Sequence, residues 1–229
     1  MPIRACVFDA YGTLFDVAAA ARQAAAEPGR ERLAQAWPRL AADWRAKQLS
    51  YTWLRAVMGA HADFWQVTQD ALDWALEAQG LDRDADLRAR LLHLYRALAA
   101  FPEVPDVLAA LKAQGLATAI LSNGEPGMLS DAVASAGIGA HLDAVLSVEA
   151  VGVFKPARAV YDLVGTRFGT TPAEVLFVSS NGWDAAAGAH YGFSTVWVNR
   201  ADEPPDRLPA RPHHVLRDLT GIPALAGAA

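Results

Sequence analysis

Apolar residues follow two different patterns along the chain. One is the short continuous apolar run, typical of a strand buried on both faces of a parallel sheet. Such runs lie at 3–9, 116–121, 144–148, 175–178 and 194–198, with a last one near residue 215. The other pattern covers about 16–98, where Trp37, Leu40 and Trp44 recur at the three- and four-residue spacing of a helix. The first pattern predicts strands, and the second predicts a group of helices.

Helices are also predicted between the strands of the second half. Pro105 opens one helix that ends at Gly115, and Lys155 and Pro156 open another. Residues 171–174 have the spacing of a capping box. Helices that alternate with apolar strands predict an α/β fold with a doubly wound parallel sheet. We therefore predict a core formed by 1–15 and 98–229, with a helical insertion formed by 16–97.

Composition narrows the class of protein. The chain has 229 residues, 53% of them hydrophobic, which is enough to bury a sizeable core. A net charge of −5 without a basic stripe argues against a nucleic-acid partner, and no apolar run is long enough to cross a membrane. The single cysteine, Cys6, cannot form a disulfide within the chain, and its place in the first apolar run favours a buried strand residue over a nucleophile. We expect a soluble cytoplasmic protein.

Polar residues occur in four loops that follow predicted strands. They are Asp9, the pair Ser122 and Asn123, Lys155, and the segment 179–184. In a doubly wound sheet such loops converge at the carboxyl edge, where ligands bind. Each has an ordinary structural alternative: a turn at 122–124, a solvated lysine, a helix cap at Asp184. As a set in this order, they predict a binding or catalytic site.

The chain resembles the haloacid dehalogenase superfamily and, within it, the 2-haloacid dehalogenases. The superfamily motifs are matched by 9–13, Ser122, 155–156 and Asp184. The narrower resemblance rests on 8–16, 44–55, 121–124 and 177–184 and extends over nearly the whole chain. It implies a Rossmann-like catalytic core with an inserted helical cap. It also implies a hydrolase that converts short L-2-haloalkanoic acids to D-2-hydroxyalkanoic acids, with inversion, through an ester on Asp9.

Two positions separate this chain from the superfamily's phosphatases. Those enzymes carry a general acid two residues after the nucleophile, and this chain has Tyr11, whose phenol is a weak acid at neutral pH. They also commonly carry a magnesium-binding acid where this chain has Ser180. A departing halide needs no proton, and Ser180 removes one carboxylate of the magnesium site. We therefore expect no metal and no cofactor. A magnesium-dependent phosphatase-like member and a non-catalytic binding protein on this fold are the alternatives.

Residue type and placement predict roles for six of these side chains. A lysine beside a carboxylate keeps it ionised, so Lys155 is expected to keep Asp9 charged for attack. Asp184 is the candidate that activates or orients the hydrolytic water, with Ser179 and Asn181 fixing its place. Thr13 is either a hydrogen-bond donor that orients Asp9 or a turn hydroxyl.

Further roles come from the resemblance alone. Ser122 and Lys155 would hold the substrate carboxylate, and Arg45 would bind the halide with Asn123. Tyr161 would lie near the site, although packing of a helix residue is an equal alternative. The apolar wall would consist of Tyr11, Leu49, Phe64 and Trp183, of which Phe64 is also a candidate for the core of the cap. The expected partners are a small 2-haloacid, halide, water and a second copy of the chain in a homodimer, with no nucleic acid and no membrane.

Overall fold

The protein divides into two compact units. The computed structural model describes residues 2–227, so positions 1, 228 and 229 of the predicted core range lie outside the described residues. The core unit comprises the chain up to Phe15, Ala100–Asn123, and the chain from Gly137 onward. The helical unit comprises Asp16–Ala99 and Gly124–Ala136.

The structure differs from the predicted division at 98–99 and at 124–136, which both belong to the helical unit. The predicted core includes 124–136, whereas in the structure this segment belongs to the helical unit. Its helix carries Asp131, which pairs with Arg96 of the helical unit at 2.8 Å. Arg96 and Asp131 lie 35 positions apart in sequence, so a local pattern of apolar residues cannot reveal this contact.

Six parallel strands form the sheet. They are β1 (Ala5–Phe8), β2 (Ala117–Ser122), β3 (Ala144–Ser147), β4 (Val175–Ser179), β5 (Ser194–Val198) and β6 (His214–Leu216). Their order is β3-β2-β1-β4-β5-β6. All residues of β1 and β4 are buried, because helices cover both faces of such a sheet. The predicted doubly wound α/β fold is confirmed, and the strand order reverses beside β1 and β4, where such sheets bind ligands.

The helices fill the intervals between the strands and form the insertion. They are α1 (Ala19–Ala25), α2 (Glu31–Met58), α3 (Phe64–Ala78), α4 (Ala85–Arg96), α5 (Val104–Ala113), α6 (Pro126–Ala136), α7 (Arg158–Phe168), α8 (Gly182–Tyr191) and α9 (Ile222–Gly227). Local chemistry explains several ends. Asp63 accepts a hydrogen bond from the Gln66 amide and caps α3, and Gly59 ends α2 in the left-handed region at φ +63°.

One predicted helix start is different in the structure. The helix predicted to open at Lys155 and Pro156 begins three residues later, at Arg158, because Ala157 is extended with ψ 134°. The capping box is present, with Thr171 and Glu174 bonded reciprocally, but it closes only the 3₁₀ turn Pro172–Glu174. None of the helices within 2–227 has the length and apolarity needed to cross a membrane.

Candidate active site

Asp9 lies directly beyond the central strand. The parallel ladder continues to this residue, since its amide donates to the Val178 carbonyl at 2.9 Å. The side chain is 10% exposed and meets three donors. Lys155 Nζ lies 3.2 Å from Oδ1, while Asn181 Nδ2 at 3.0 Å and Thr13 Oγ1 at 3.1 Å reach Oδ2. Position, burial and donors hold one carboxylate in a single orientation at the edge of the sheet.

A tight turn after Asp9 places Thr13. The amides of Thr13, Leu14 and Phe15 all point to the Ala10 carbonyl, and the Gly12 amide donates to the Phe15 carbonyl at 2.8 Å. Gly12 has φ +90°, and a Cβ there would lie only 3.1 Å from Ser180 Oγ. Conformation and space therefore both require glycine at this position. The turn brings Thr13 back beside the carboxylate it follows by four residues.

The Thr13 hydroxyl joins two loops. It accepts a hydrogen bond from the Ser180 amide at 2.8 Å, and it lies 3.0 Å from Ser180 Oγ. A hydroxyl has one proton to donate and two lone pairs to accept. All groups are satisfied when Thr13 accepts from the Ser180 amide and hydroxyl and donates its own proton to Asp9. Ser180 thus supports the hydroxyl that donates to Asp9.

Lys155 connects two carboxylates. Its side chain is 1% exposed, and its Nζ lies 3.2 Å from Asp9 Oδ1 and 2.9 Å from Asp184 Oδ2. Burial alone would lower the pKa of Lys155, but the charges of Asp184 and Asp9 outweigh it and raise that pKa above 10.5. Lys155 is therefore a permanent cation. The centre of the Phe177 ring lies 5.0 Å from Nζ, so a cation–π contact also stabilises this charge.

Asp184 is completely buried. Its Oδ2 contacts Lys155, and its Oδ1 accepts a hydrogen bond from the Tyr161 hydroxyl at 2.8 Å. Burial and the Asp9 charge raise the pKa of Asp184, whereas Lys155 and Tyr161 oppose this rise. Burial and then Asp184 also raise the pKa of Tyr161 well above 10, so this phenol keeps its proton. The Tyr161 ring packs edge-on against Phe177, so packing and hydrogen bonding coexist at this residue.

Three further predicted residues lie at the same edge of the sheet. Ser122 ends β2 and is 1% exposed, and the Oδ1 of neighbouring Asn123 accepts from the Lys155 amide at 2.9 Å. Ser179 ends β4, and its Oγ accepts from the Asn181 amide at 3.2 Å. These contacts orient the side chain of Asn123 and the start of α8. The core unit thus collects its predicted polar residues at one edge.

The remaining predicted residues divide between the two units. In the core unit, Tyr11 is 3% exposed within the turn after Asp9, and Trp183 is half-buried on α8. In the helical unit, Arg45 and Leu49 lie four residues apart on α2, both half-buried. Residues at this spacing share one face of a helix. Phe64 is the buried first residue of α3.

Metal-assisted and thiol chemistry have less support in the structure than attack by Asp9. Among residues 2–227, no three His, Cys, Asp or Glu side chains are grouped so that they could hold a metal ion. Cys6 is buried in β1, and burial raises the pKa of its thiol to about 12. Such a thiol is a poor nucleophile. The carboxylate of Asp9 is the nucleophile that this geometry favours.

Two supporting residues escaped the sequence-based search. Trp197 of β5 donates to the Ser180 carbonyl at 3.1 Å, and Arg200, just beyond β5, donates to the Thr13 carbonyl at 3.1 Å. Trp197 belongs to β5, and Arg200 lies in the loop that follows this interior strand. The rule that polar residues after parallel strands converge would have included Arg200.

Comparison with known proteins identifies relatives over the whole chain. The family model for haloacid dehalogenase-like hydrolases matches residues 3–192. The chain is 44% identical over 224 residues to (S)-2-haloacid dehalogenase 1 of Pseudomonas sp. (strain CBS-3), covering 98% of this chain and 96% of the relative. It is 48% identical over 203 residues to the (S)-2-haloacid dehalogenase of Xanthobacter autotrophicus, covering 88% and 77%.

A solved structure agrees with the sequence relatives. It shows the L-2-haloacid dehalogenase of Xanthobacter autotrophicus with chloropropionic acid covalently bound. Its TM-score is 0.87 at 40% identity, with 97% of this chain and 98% of that chain covered. The motifs around Asp9, the strand order and these relatives agree, and the chain belongs to the (S)-2-haloacid dehalogenase family of the haloacid dehalogenase-like hydrolases.

Proposed function

We propose that the protein hydrolyses short-chain L-2-haloalkanoic acids to D-2-hydroxyalkanoic acids. The observation that carries this proposal is the buried Asp9 carboxylate, paired with Lys155 and oriented by Thr13 and Asn181. A relative that is 40% identical has chloropropionic acid covalently bound, which is the state that attack by a carboxylate would produce.

The first step is displacement of the halide. An Asp9 oxygen attacks C2 of the substrate from the side opposite the halogen, a C–O bond forms, and the halide leaves with the electron pair of the C–X bond. Within 2–227, Thr13 and Asn181 hold Oδ2 and the Lys155 cation holds Oδ1, so the carboxylate is fixed in one orientation for this attack. Attack from the back inverts C2.

The second step is hydrolysis of the ester. Water adds to the carbonyl carbon of the Asp9 ester, the acyl C–O bond breaks, and the 2-hydroxy acid leaves with an oxygen that belonged to Asp9. One proton is released overall, and Asp9 regains its charge. We propose that Asp184 acts on this water, with Ser179 and Asn181 fixing its place. Burial and the Asp9 charge both raise the pKa of Asp184, and esterification removes the Asp9 charge, so the pKa of Asp184 should be lower in the intermediate than in the free enzyme.

Substrate and halide need donors of their own. Ser122 and the Lys155 cation are proposed for the substrate carboxylate. Arg45 is proposed for the leaving halide, together with Asn123. The backbone amide of Lys155 donates to Asn123 Oδ1, so the oxygen end of the Asn123 side chain is occupied. The NH₂ end of that side chain is then the donor offered to an anion, which supports this role. Tyr11, Leu49, Phe64 and Trp183 are the proposed apolar wall that strips water from the departing ion.

Two measurements test the reaction. Halide release from each enantiomer of 2-chloropropionate should occur with the L form, and release from neither enantiomer would refute the activity. A single turnover with excess enzyme in ¹⁸O-labelled water should place the label in Asp9 rather than in the first product. Label in the product alone would mean that water attacks C2 directly. Every step uses the chain, substrate and water, so a chelator should leave the rate unchanged.

The expected homodimer is also a proposal. Three apolar residues near the end of α2 support it: Leu54 is 54% exposed, Val57 is 88% exposed and Met58 is 74% exposed. Apolar residues clustered on one exposed helix end are typical of interaction sites. Sedimentation should give the mass of two chains for the wild type and one chain for the double variant L54E/V57E. A monomeric wild type would refute the dimer. We also propose that the protein is cytoplasmic, consistent with a chain of one cysteine.

A further inference from the structure

Arg200 contacts the turn that carries Thr13 and does not lie among the residues assigned to the reaction. It follows β5, its backbone amide donates to the Val198 carbonyl at 3.0 Å, and its side chain is 22% exposed. Its Nη2 donates to the Thr13 carbonyl at 3.1 Å. Thr13 is the residue whose hydroxyl donates to Asp9. One residue therefore separates Arg200 from the proposed nucleophile.

The same guanidinium also holds the segment that returns from the helical unit. Its Nη2 forms an ion pair with Glu103 Oε1 at 2.7 Å, and its Cζ lies 3.7 Å from the centre of the Phe101 ring. Phe101 is itself hydrogen-bonded to the turn after Asp9, since its amide donates to the Leu14 carbonyl at 2.9 Å. A planar guanidinium can stack on a ring and donate at its edge simultaneously, which a lysine ammonium cannot do.

These contacts connect the two chain segments on either side of the helical unit. Phe15 is the last core residue before that unit and Ala100 is the first after it, and these two residues form an antiparallel bridge. Internal hydrogen bonds close the turn on the side of Ala10, whereas Arg200 holds it at the Thr13 carbonyl. Without Arg200, the turn loses its side-chain anchor at the residue that orients Asp9.

We infer that Arg200 is a positioning residue for the Asp9 nucleophile, acting through Thr13. This inference rests on the proposed dehalogenase function and goes beyond it. Arg200 does not touch the substrate in this role. It fixes the Thr13 backbone, which fixes the Thr13 hydroxyl, which holds Asp9 Oδ2. Loss of Arg200 should therefore slow the attack by Asp9 and leave substrate affinity nearly unchanged.

Single-turnover halide release from L-2-chloropropionate tests this chain of contacts. R200Q should lower the saturating rate by about 10- to 100-fold, the cost of a small misplacement of reacting groups, with KM within about threefold of the wild type. T13V should lower the rate at least as much. The double variant R200Q/T13V should match T13V within about twofold, because residues that act through one another are not additive. Losses that multiply in the double variant would overturn the inference.

Two controls separate positioning from general damage. R217Q removes an arginine that pairs with Asp202 at the surface, where the two side chains are 80% and 75% exposed. This variant should retain the wild-type rate. R200K keeps a charge for Glu103, so it should unfold close to the wild-type Tm yet remain slow. An R200Q rate within about threefold of the wild type would also overturn the inference.

A measurement without substrate separates this inference from the proposed function. Amide hydrogen exchange should accelerate at Leu14, Phe15 and Phe101 in R200Q but not in R217Q. If the wild type released no halide, the dehalogenase proposal would fail, and the exchange rates would still decide whether Arg200 holds the turn. Unchanged exchange at these three amides in R200Q would overturn its positioning role.

Discussion

The edge of the sheet and helix α2 carry residues proposed for the same reaction, but they hold these residues in different ways. At the sheet edge, Lys155 lies 146 positions from Asp9 and 29 positions from Asp184 in the sequence, yet its Nζ is within 3.2 Å of both carboxylates. On α2, Arg45 and Leu49 are one helical turn apart and half-buried. The chemistry of the core is therefore coupled to folding, whereas that of α2 should be separable from it.

The largest expected effect is loss of the nucleophile. D9N keeps the shape of the side chain but removes its charge, and it should lower single-turnover halide release by about four orders of magnitude or more. Fluorescence or circular dichroism should show that D9N still unfolds cooperatively. Activity retained in purified D9N would mean that another group attacks the substrate.

Lys155 tests the coupling between chemistry and folding. K155M leaves two buried carboxylates without their cation, so the free energy of unfolding at pH 7 should fall by about 3–5 kcal/mol, and activity should be lost. K112M is the matched control, since Lys112 and Asp143 form a partly exposed pair, and it should cost about 1 kcal/mol or less.

The pH dependence of K155M has a definite sign. Burial already raises the pKa of Asp184, so the ionised form of this group costs stability. This cost is relieved as pH falls through the raised pKa, and K155M should recover stability there. A stability gap to the wild type that widens on acidification would contradict the proposed charge arrangement.

Arg45 should show the opposite combination. R45Q should lower the single-turnover rate by about 100-fold, because a cation that stabilises a leaving anion acts in the transition state. The free energy of unfolding should change by about 1 kcal/mol or less, as for a half-exposed helix residue. L49A on the same helix face should weaken activity less. A loss of stability in R45Q as large as that in K155M would remove the distinction between the two regions.

Tyr161 gives the smallest and most specific effect. Its hydroxyl lowers the pKa of Asp184, so Y161F should raise that pKa and move the acid limb of the kcat profile to higher pH. The pKa values of Lys155 and Tyr161 are both raised, so neither should create an alkaline limb below pH of about 10. The control is Y191F. The Tyr191 hydroxyl donates to Asp162 at the surface, so its loss should leave the profile unchanged. A shift of the acid limb to lower pH would contradict the role of the Tyr161 hydrogen bond.

Several features could be predicted because they depend on local pattern. The apolar run before Asp9 ends where β1 ends, and the polar residues after β2 and β4 lie at the same edge, as parallel strands require. The start of α7 could not be predicted this way. Proline suits the first turn of many helices, but here Pro156 precedes an extended Ala157 while Lys155 points into the buried charge cluster.

Other features depend on contacts that no local pattern contains. Tyr161 could equally have been a packing residue, and its hydrogen bond to Asp184 requires α7 to place it beside α8. Ser180 looked like a missing acid, whereas its amide donates to a residue 167 positions away. The grouping of 124–136 with the helical unit has the same origin.

The sequence by itself determined the parallel α/β fold, the helical insertion and the identity of the acid at the end of the first strand. Periodicity and strand-end polarity are local properties, and a doubly wound sheet converts them into a shared edge. Only the tertiary structure decided which groups form hydrogen bonds and ion pairs at that edge. Whether Lys155 meets one carboxylate or two, and whether Arg200 holds the Thr13 turn, depends on ångström-scale distances between loops that the chain order leaves open.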